Sequence, residues 1–342
     1  MAPLMDIVPR AKGIVMKKTV PSQNPTSIQQ ELLRALRYHR PLSLISISME
    51  VATSPSMMAA STRFSDILRR HLRNTDILSE ESGTQSFLLL PETPLESALI
   101  VGNRLSLDLL QGAGPFENPT IGISAIADGI YRADDLIHTA IMANRAAKAA
   151  GHPLFTISTF RDKTLSLPFL VAVILNLSQE DTRHLSSFLE RSRREPEKLR
   201  ESAATLGARL ATRLKIPAEN HDVIAFWILF HDLLSGASGP ESSEEKMPAM
   251  SRRKKVLHAA IIRQGPGTAS PEPGSDPRTR GLLEIFHAVL IELGSFSNPT
   301  EEVVSDLLKT VLARIERRGN ADKQTITAFQ KTQPRDWIPF PT

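Results

Sequence analysis

The stretch SEESGTQSFLLLPET, Ser79 to Thr93, decides how the first half of this chain reads. Phe87 to Leu90 form an unbroken apolar run bounded by turn-forming residues and by Pro91, the pattern of a buried strand leaving a tight turn. A hard divalent cation bound there would need charged oxygen ligands. The turn residues Ser82, Gly83, Thr84, Gln85 and Ser86 include no carboxylate. Just beyond the strand, Thr93 suits a helix cap, Pro94 the first helical position, and Glu96 stands three after the cap as a capping box requires. This helix is expected to run to about Gln111.

Working upstream, SIQQELLRALRYHR places Ile28, Leu32, Leu33 and Leu36 at helical spacing and stops before Pro41. LSLISISME then alternates, with Ile45, Ile47 and Met49 on one face and Ser46, Ser48 and Glu50 on the other. A helix from Thr62 to Leu72 leads to RNTD, Arg73 to Asp76. Downstream come a strand TIGISAI, an alanine-rich helix from Ala133 to Ala150 stopped by Gly151 in a left-handed cap, and a closing strand PLFTIS. The alternation of helix and strand predicts an α+β unit over 27–160, a sheet flanked by helices, after an N-terminal tail over 1–26.

Beyond TFRDKTLSLP, Thr159 to Pro168, only helical patterns remain, so an all-α unit is expected over 165–335. Its helices are placed near Phe169–Leu177, Gln179–Arg194, Pro196–Lys215, Pro217–Leu234, Arg253–Arg263, Arg278–Leu293, Glu301–Arg318 and Lys323–Lys331. Two inserts rich in Gly, Pro and Ser, near 235–250 and 264–279, read as mobile loops. A length of 342 residues allows two domains of ordinary size.

Composition narrows the function classes. The chain is 41% apolar and 23% charged, which is globular rather than disordered or fibrous. Lysine and arginine exceed the acids by only four and are spread out apart from SRRKK, Ser251 to Lys255, so no nucleic-acid stripe is present. The absence of cysteine excludes disulfides, thiolate nucleophiles and cysteine-ligated zinc, and fits a cytoplasmic protein. The longest apolar run, LPFLVAVILNL, falls short of the roughly 20 residues that span a bilayer, so it reads as a buried helix and no membrane span is expected. The N-terminus carries charges and a proline where an export signal needs an unbroken apolar core. No phosphate loop, nucleophile elbow or zinc-protease helix occurs.

The order RPLSLISISME, LRRHLRNTDILSEESGTQSFLLLPET, TIGISAI and LIHTAIMANRAAKAAGHP resembles the GGDEF domain of diguanylate cyclases. Its most specific parts are the spacing from RNTD through the turn to LLLP and the helix end at Ala143, Lys148 and Gly151. Counting back from Pro91, the signature Gly-Gly-Asp-Glu-Phe falls on Ser82, Gly83, Thr84, Gln85 and Ser86. The resemblance implies that this loop and a carboxylate after the first core strand would hold two magnesium ions against GTP. The position resembling the first metal aspartate is Ser48, with Glu50 two residues on, and Thr84 and Gln85 replace the loop acids. Ser82 adds a side chain where the family keeps a glycine. Between Glu50 and Thr62 the chain also lacks about a turn of the segment that recognises guanine in the family. Lys148 resembles a phosphate-contacting lysine, and a lysine near a helix C-terminus also favours the dipole. Arg73 and Asp76 stand at the spacing of the family's inhibitory site for cyclic diguanylate, where an arginine fork would grip a phosphate or a guanine edge. Read locally, they are a surface pair at a helix end.

The second half resembles, more distantly, HD-type phosphohydrolase domains and their HD-GYP subgroup, through LGARLATRLKIPAENHDVIAFWILFHDLLSG and its dyad His231 and Asp232. The position of the family's first histidine is Leu199, Leu234 and Ser235 replace the Gly-Lys after the dyad, and QGPGTASPEPG stands where further ligands would lie. His231 and Asp232 are therefore either a metal remnant or a structural pair. The pair His221 and Asp222 and the single His258 and His287 read as structural.

Together these readings lead to a noncatalytic bacterial signalling protein without a cofactor, acting as a cyclic diguanylate receptor or a docking platform for protein partners, with a homodimer left open. The alternatives are a metal-dependent hydrolase of cyclic diguanylate working from the helical half, and a scaffold binding no nucleotide.

Overall fold

A computed structural model describes residues 25–51, 57–82, 85–111, 116–161, 165–193, 198–236, 247–264, 276–296, 299–318 and 321–338. Nearly all of the expected tail and the larger parts of both Gly/Pro/Ser-rich inserts lie outside these residues. In chain order the first half is α1 (Pro25–Arg37), β1 (Leu42–Val51), α2 (Met57–Arg70), β2 (Ile77–Ser82), β3 (Gln85–Pro91), α3 (Leu95–Gln111), β4 (Phe116–Ala125), α4 (Ala133–Ala150) and β5 (Leu154–Thr156). The strands form one sheet in the order β2-β3-β1-β4-β5, antiparallel except for the parallel pair β4 and β5.

Alternation along β1 sets the two layers. Ile45, Ile47 and Met49 face a cluster completed by Phe64 and Leu68 of α2 and Leu105 and Leu109 of α3. Leu42 and Leu44 point the other way, into a cluster with Leu32 of α1 and Ala140 and Ala147 of α4. Ser46 and Ser48 share that second face, as the period-2 pattern predicts. Helix α4 packs closely on β4, and Gly122 is where the two backbones meet. Gly151 ends α4 at φ 68°, its N–H donating to the Ala147 and Lys148 carbonyls, so the expected left-handed cap forms.

The second half is all helical: α5 (Leu167–Asn176), α6 (Gln179–Arg193), α7 (Leu199–Arg213), α8 (Glu219–Gly236), α9 (Arg252–Gln264), α10 (Pro277–Leu293), α11 (Glu301–Arg318) and α12 (Lys323–Gln330). Phe169 to Leu175 of α5 are all buried, which accounts for its unbroken apolar run. No helix among the described residues is long and apolar enough to cross a membrane. The apolar cluster beneath α1 and α4 continues through α5, α7, α8, α10 and α11 to Trp337. Polar links reinforce the seam between α4 and α6: Arg145 with Asp181 at 2.6 Å, Arg191 with Asp135 at 2.8 Å, and stacked His138 and His184 rings 4.7 Å apart.

Three local readings differ from the structure. The hairpin partner β2 goes unpredicted, because ILSEES is short and polar, as suits an edge strand. Helix α2 starts at Met57 rather than Thr62. Thr93 does not stand at the cap of α3, which begins at Leu95; its hydroxyl donates to the Pro91 carbonyl at 3.0 Å, and the Thr93 carbonyl accepts from Ser43 Oγ at 2.8 Å. The bond from Ser43 ties the segment after β3 to β1.

Candidate functional site

The hairpin of β2 and β3 and the end of β1 bring most of the singled-out positions to one end of the sheet. Gln85 lies directly opposite both Ser48 and Ser82, and Ser86 lies opposite Ile47 on the other face. Ser86 is buried, and its hydroxyl has no hydrogen-bond partner among the described residues. Gly83 and Thr84 lie outside the described residues, as do the side chains of Ser82 and Glu50. Glu50 pairs with Glu117 across β1 and β4, past an irregularity that begins at Ser48.

Ser48 is spoken for. Its hydroxyl donates to Asn144 Oδ1 at 2.6 Å and lies 2.9 Å from Thr120 Oγ1, which is itself 3.2 Å from Asn144 Oδ1. Asn144 Nδ2 donates to the Ser46 carbonyl at 2.9 Å and to the Thr120 carbonyl at 2.6 Å. Both donor hydrogens and the acceptor oxygen of the amide are thus used inside the protein, and the two carbonyls fix which way the amide points. A magnesium pair needs charged oxygens, whereas this corner offers a hydroxyl and an amide bonded to one another. The described side chains at Ser48, Thr120 and Asn144 do not fit the metal site that the cyclase resemblance implies. Thr120 and Asn144 were not singled out in the sequence, although Asn144 is the only amide among the buried residues of α4.

At the hairpin's other end, the Arg73 N–H donates to Asp76 Oδ2 at 2.7 Å, so Asp76 closes the turn after α2. Asp76 Oδ1 is buried without a hydrogen-bond partner among the described residues. Arg73 is exposed. Lys148 is exposed in the last turn of α4, beside a cavity of about 750 Å³ also lined by Arg145 and Asp181.

In the helical half, Asp232 is held by Arg200 at 2.8 Å, with the two side chains 3% and 0% exposed. Arg200 Nη1 also donates to the Leu229 carbonyl at 2.8 Å, and its backbone N–H donates to Glu190 Oε1 at 2.8 Å. The guanidinium inserts where α8 kinks at Phe230 (φ −121°, ψ 18°) and the helical ladder is interrupted. Sequence reading passed over Arg200. Its phase offered a signal, because Arg200, Ala203, Ala204, Gly207 and Ala211 share the small-residue stripe that α7 turns inward. Leu199, at the position of the family's first histidine, is fully buried. Among the described residues no group of three metal-ligating side chains comes together. His221 lies 3.2 Å from the Ile216 carbonyl just before α8, and His258 lies 2.7 Å from the Pro168 carbonyl, a contact that joins the middle of α9 to the first turn of α5.

His231 is buried, with Nδ1 3.2 Å from the Ile228 carbonyl and its ring 6.2 Å from that of His287. Burial first, and then the Arg200 charge, push its pKa down to about 3. The imidazole is therefore neutral in the folded protein near pH 7. Between its ordinary value near 6.5 and about 3, the unfolded chain holds a proton that the native state refuses. Stability is accordingly lost as pH falls through that window, by at most about 1.4 kcal/mol per pH unit from this residue. Urea unfolding from neutral pH down to about pH 5 checks this. His231→Gln is expected to flatten the dependence, and an unchanged slope would reject the assignment.

No protein-family model matches the chain, and no curated protein matches it. Among solved structures, the chain is similar to a truncated Pseudomonas aeruginosa protein, TpbB or YfiN, comprising only the GGDEF domain, with 18% identity over 37% of this chain and 82% of that one and a TM-score of 0.31. It is also similar to the active GGEEF domain of a diguanylate cyclase from Vibrio cholerae, with 16% identity over 36% of this chain and 85% of that one and a TM-score of 0.29. The chemistry of the corner at Ser48 rests on its own geometry.

Proposed function

We propose that this chain is a noncatalytic signalling protein whose α+β half, built on the plan of a diguanylate cyclase domain, serves as a cyclic diguanylate receptor or as a docking platform for a protein partner. The observation that carries this reading is the closed set of hydrogen bonds among Ser48, Thr120 and Asn144 at the strand position where a cyclase would present a metal carboxylate. A receptor role would fall to Arg73, whose exposed guanidinium stands beside a turn that Asp76 already holds. The helical half is then noncatalytic as well, with Asp232 of its dyad engaged by Arg200.

Purified protein is expected to turn over neither GTP nor cyclic diguanylate with magnesium or manganese present. Detected synthesis or hydrolysis would overturn the noncatalytic reading. Calorimetry with cyclic diguanylate is expected to show binding that Arg73→Ala abolishes. An isotherm unchanged in that variant rejects the site, and no binding by the native chain leaves the docking role alone.

A further inference from the structure

We infer that the cavity of about 540 Å³ between the C-terminal end of α7, the start of α10 and α12 binds a small phosphate-rich anion. Five of its lining residues are cations: Arg213, Lys215, Arg278, Lys323 and Lys331. Among the described residues no carboxylate lines it.

The surrounding helices pair their charges elsewhere: Arg209 with Asp336 at 2.7 Å, Arg335 with Glu301 at 2.7 Å, and Arg314 with Glu292 at 2.5 Å. Among the described residues none of the five cations makes an ion pair within 4 Å. Asp322, the acid beside Lys323, is committed to capping α12. Its Oδ1 accepts from the N–H groups of Gln324 and Thr325, and its Oδ2 accepts from Thr325 Oγ1. Arg278 is held in place by donating to the Leu214 carbonyl at 3.0 Å.

Helix dipoles explain only part of this cluster. Arg213 and Lys215 sit at the C-terminal end of α7, where cations are favoured. Arg278 and Lys323 instead occupy the first turns of α10 and α12, the positive ends of those helices. A cation there is disfavoured, and the cap carboxylates Asp276 and Asp322, the latter held ionised in part by Arg278, offset only part of the charge of the five cations. A bound anion supplies the missing charge.

The volume suits a ligand of nucleotide size or smaller. Among the described residues no aromatic side chain lines the cavity, so a base finds no stacking surface there and recognition falls to the phosphates. The planar arginine forks match phosphate oxygens, and the lysines act as point charges around them. This cavity is distinct from Arg73 and stands or falls separately from the receptor reading.

Titration of the full chain with inorganic tripolyphosphate at low salt is expected to give one-to-one binding that weakens as salt rises. The variant Arg213→Glu/Lys323→Glu alters two exposed side chains and is expected to bind at least tenfold more weakly. If the reversed pair lowers the melting temperature, the neutral pair Lys323→Gln/Lys331→Gln decides on the criterion of measurably weakened binding. Absent binding, equal affinity in the variant, or several loosely bound anions per chain would overturn the proposal. So would capture by phosphatidylserine vesicles without tripolyphosphate binding, which would mark a lipid surface instead.

Discussion

Arg200→Met is expected to destabilise the protein by about 3–5 kcal/mol, the range for breaking a buried ion pair from one side. The guanidinium is fully buried, bridges Asp232 and the Leu229 carbonyl, and sits at the kink of α8. Methionine approximates its stem but removes the bonds to Asp232 and to the Leu229 carbonyl, leaving the Asp232 carboxylate in the interior without the cation that offsets its desolvation. The second substitution separates charge from shape. In Arg200→Met/Asp232→Leu the uncompensated charge is gone, and most of the lost stability is expected to return, as it does when buried pairs are replaced by apolar groups. Urea midpoints at constant slope measure both variants. Equal stability of Arg200→Met and the native chain would mean that the pair contributes nothing, and would reopen Asp232 as a metal ligand.

Gly122→Ala is expected to lower stability by about 3 kcal/mol or more, at the upper end for overpacking. A Cβ at this position would lie 2.0 Å from the Asn144 nitrogen, 2.2 Å from the Ala140 carbonyl oxygen and 2.6 Å from the Asn144 Cα. All three are backbone atoms of α4, so no side chain can swing aside and the helix itself must lift from β4. Lifting it strains the bonds from Asn144 to Ser46, Ser48 and Thr120, which adds unsatisfied polar groups to the steric term. Thermal unfolding measures the effect, and an unaltered melting temperature would show that the contact between α4 and β4 is looser than its geometry.

Much of this architecture is legible in the residues. Strict alternation in LSLISISME separates the two faces of the sheet, and the helix over Glu301–Arg318 has the limits its apolar spacing implies. What escapes the pattern is whatever depends on partners distant in sequence. β2 is polar because it borders the sheet, so its strand character comes from pairing with β3 rather than from its own residues. Ser48 is recognisable as an altered position, but its meaning depends on Asn144, 96 residues away, which only the close approach of α4 to Gly122 delivers. Arg200 shows the same limit, since its helical phase indicates an inward position and only the kink in α8 shows what the charge does there.

The continuous apolar interior has a bearing on how such chains change over generations. Leu44 and Phe87 of the sheet belong to the same cluster as Phe169, Trp227 and Phe286 of the helices, and α5 is buried along nearly its whole length between them. A crossover within Thr159 to Pro168 that joined the first half of one relative to the second half of another would bring together surfaces shaped by separate histories. A change in side-chain volume on α4 calls for an answering change on α5 or α6, so the two halves are bound to be inherited as a pair.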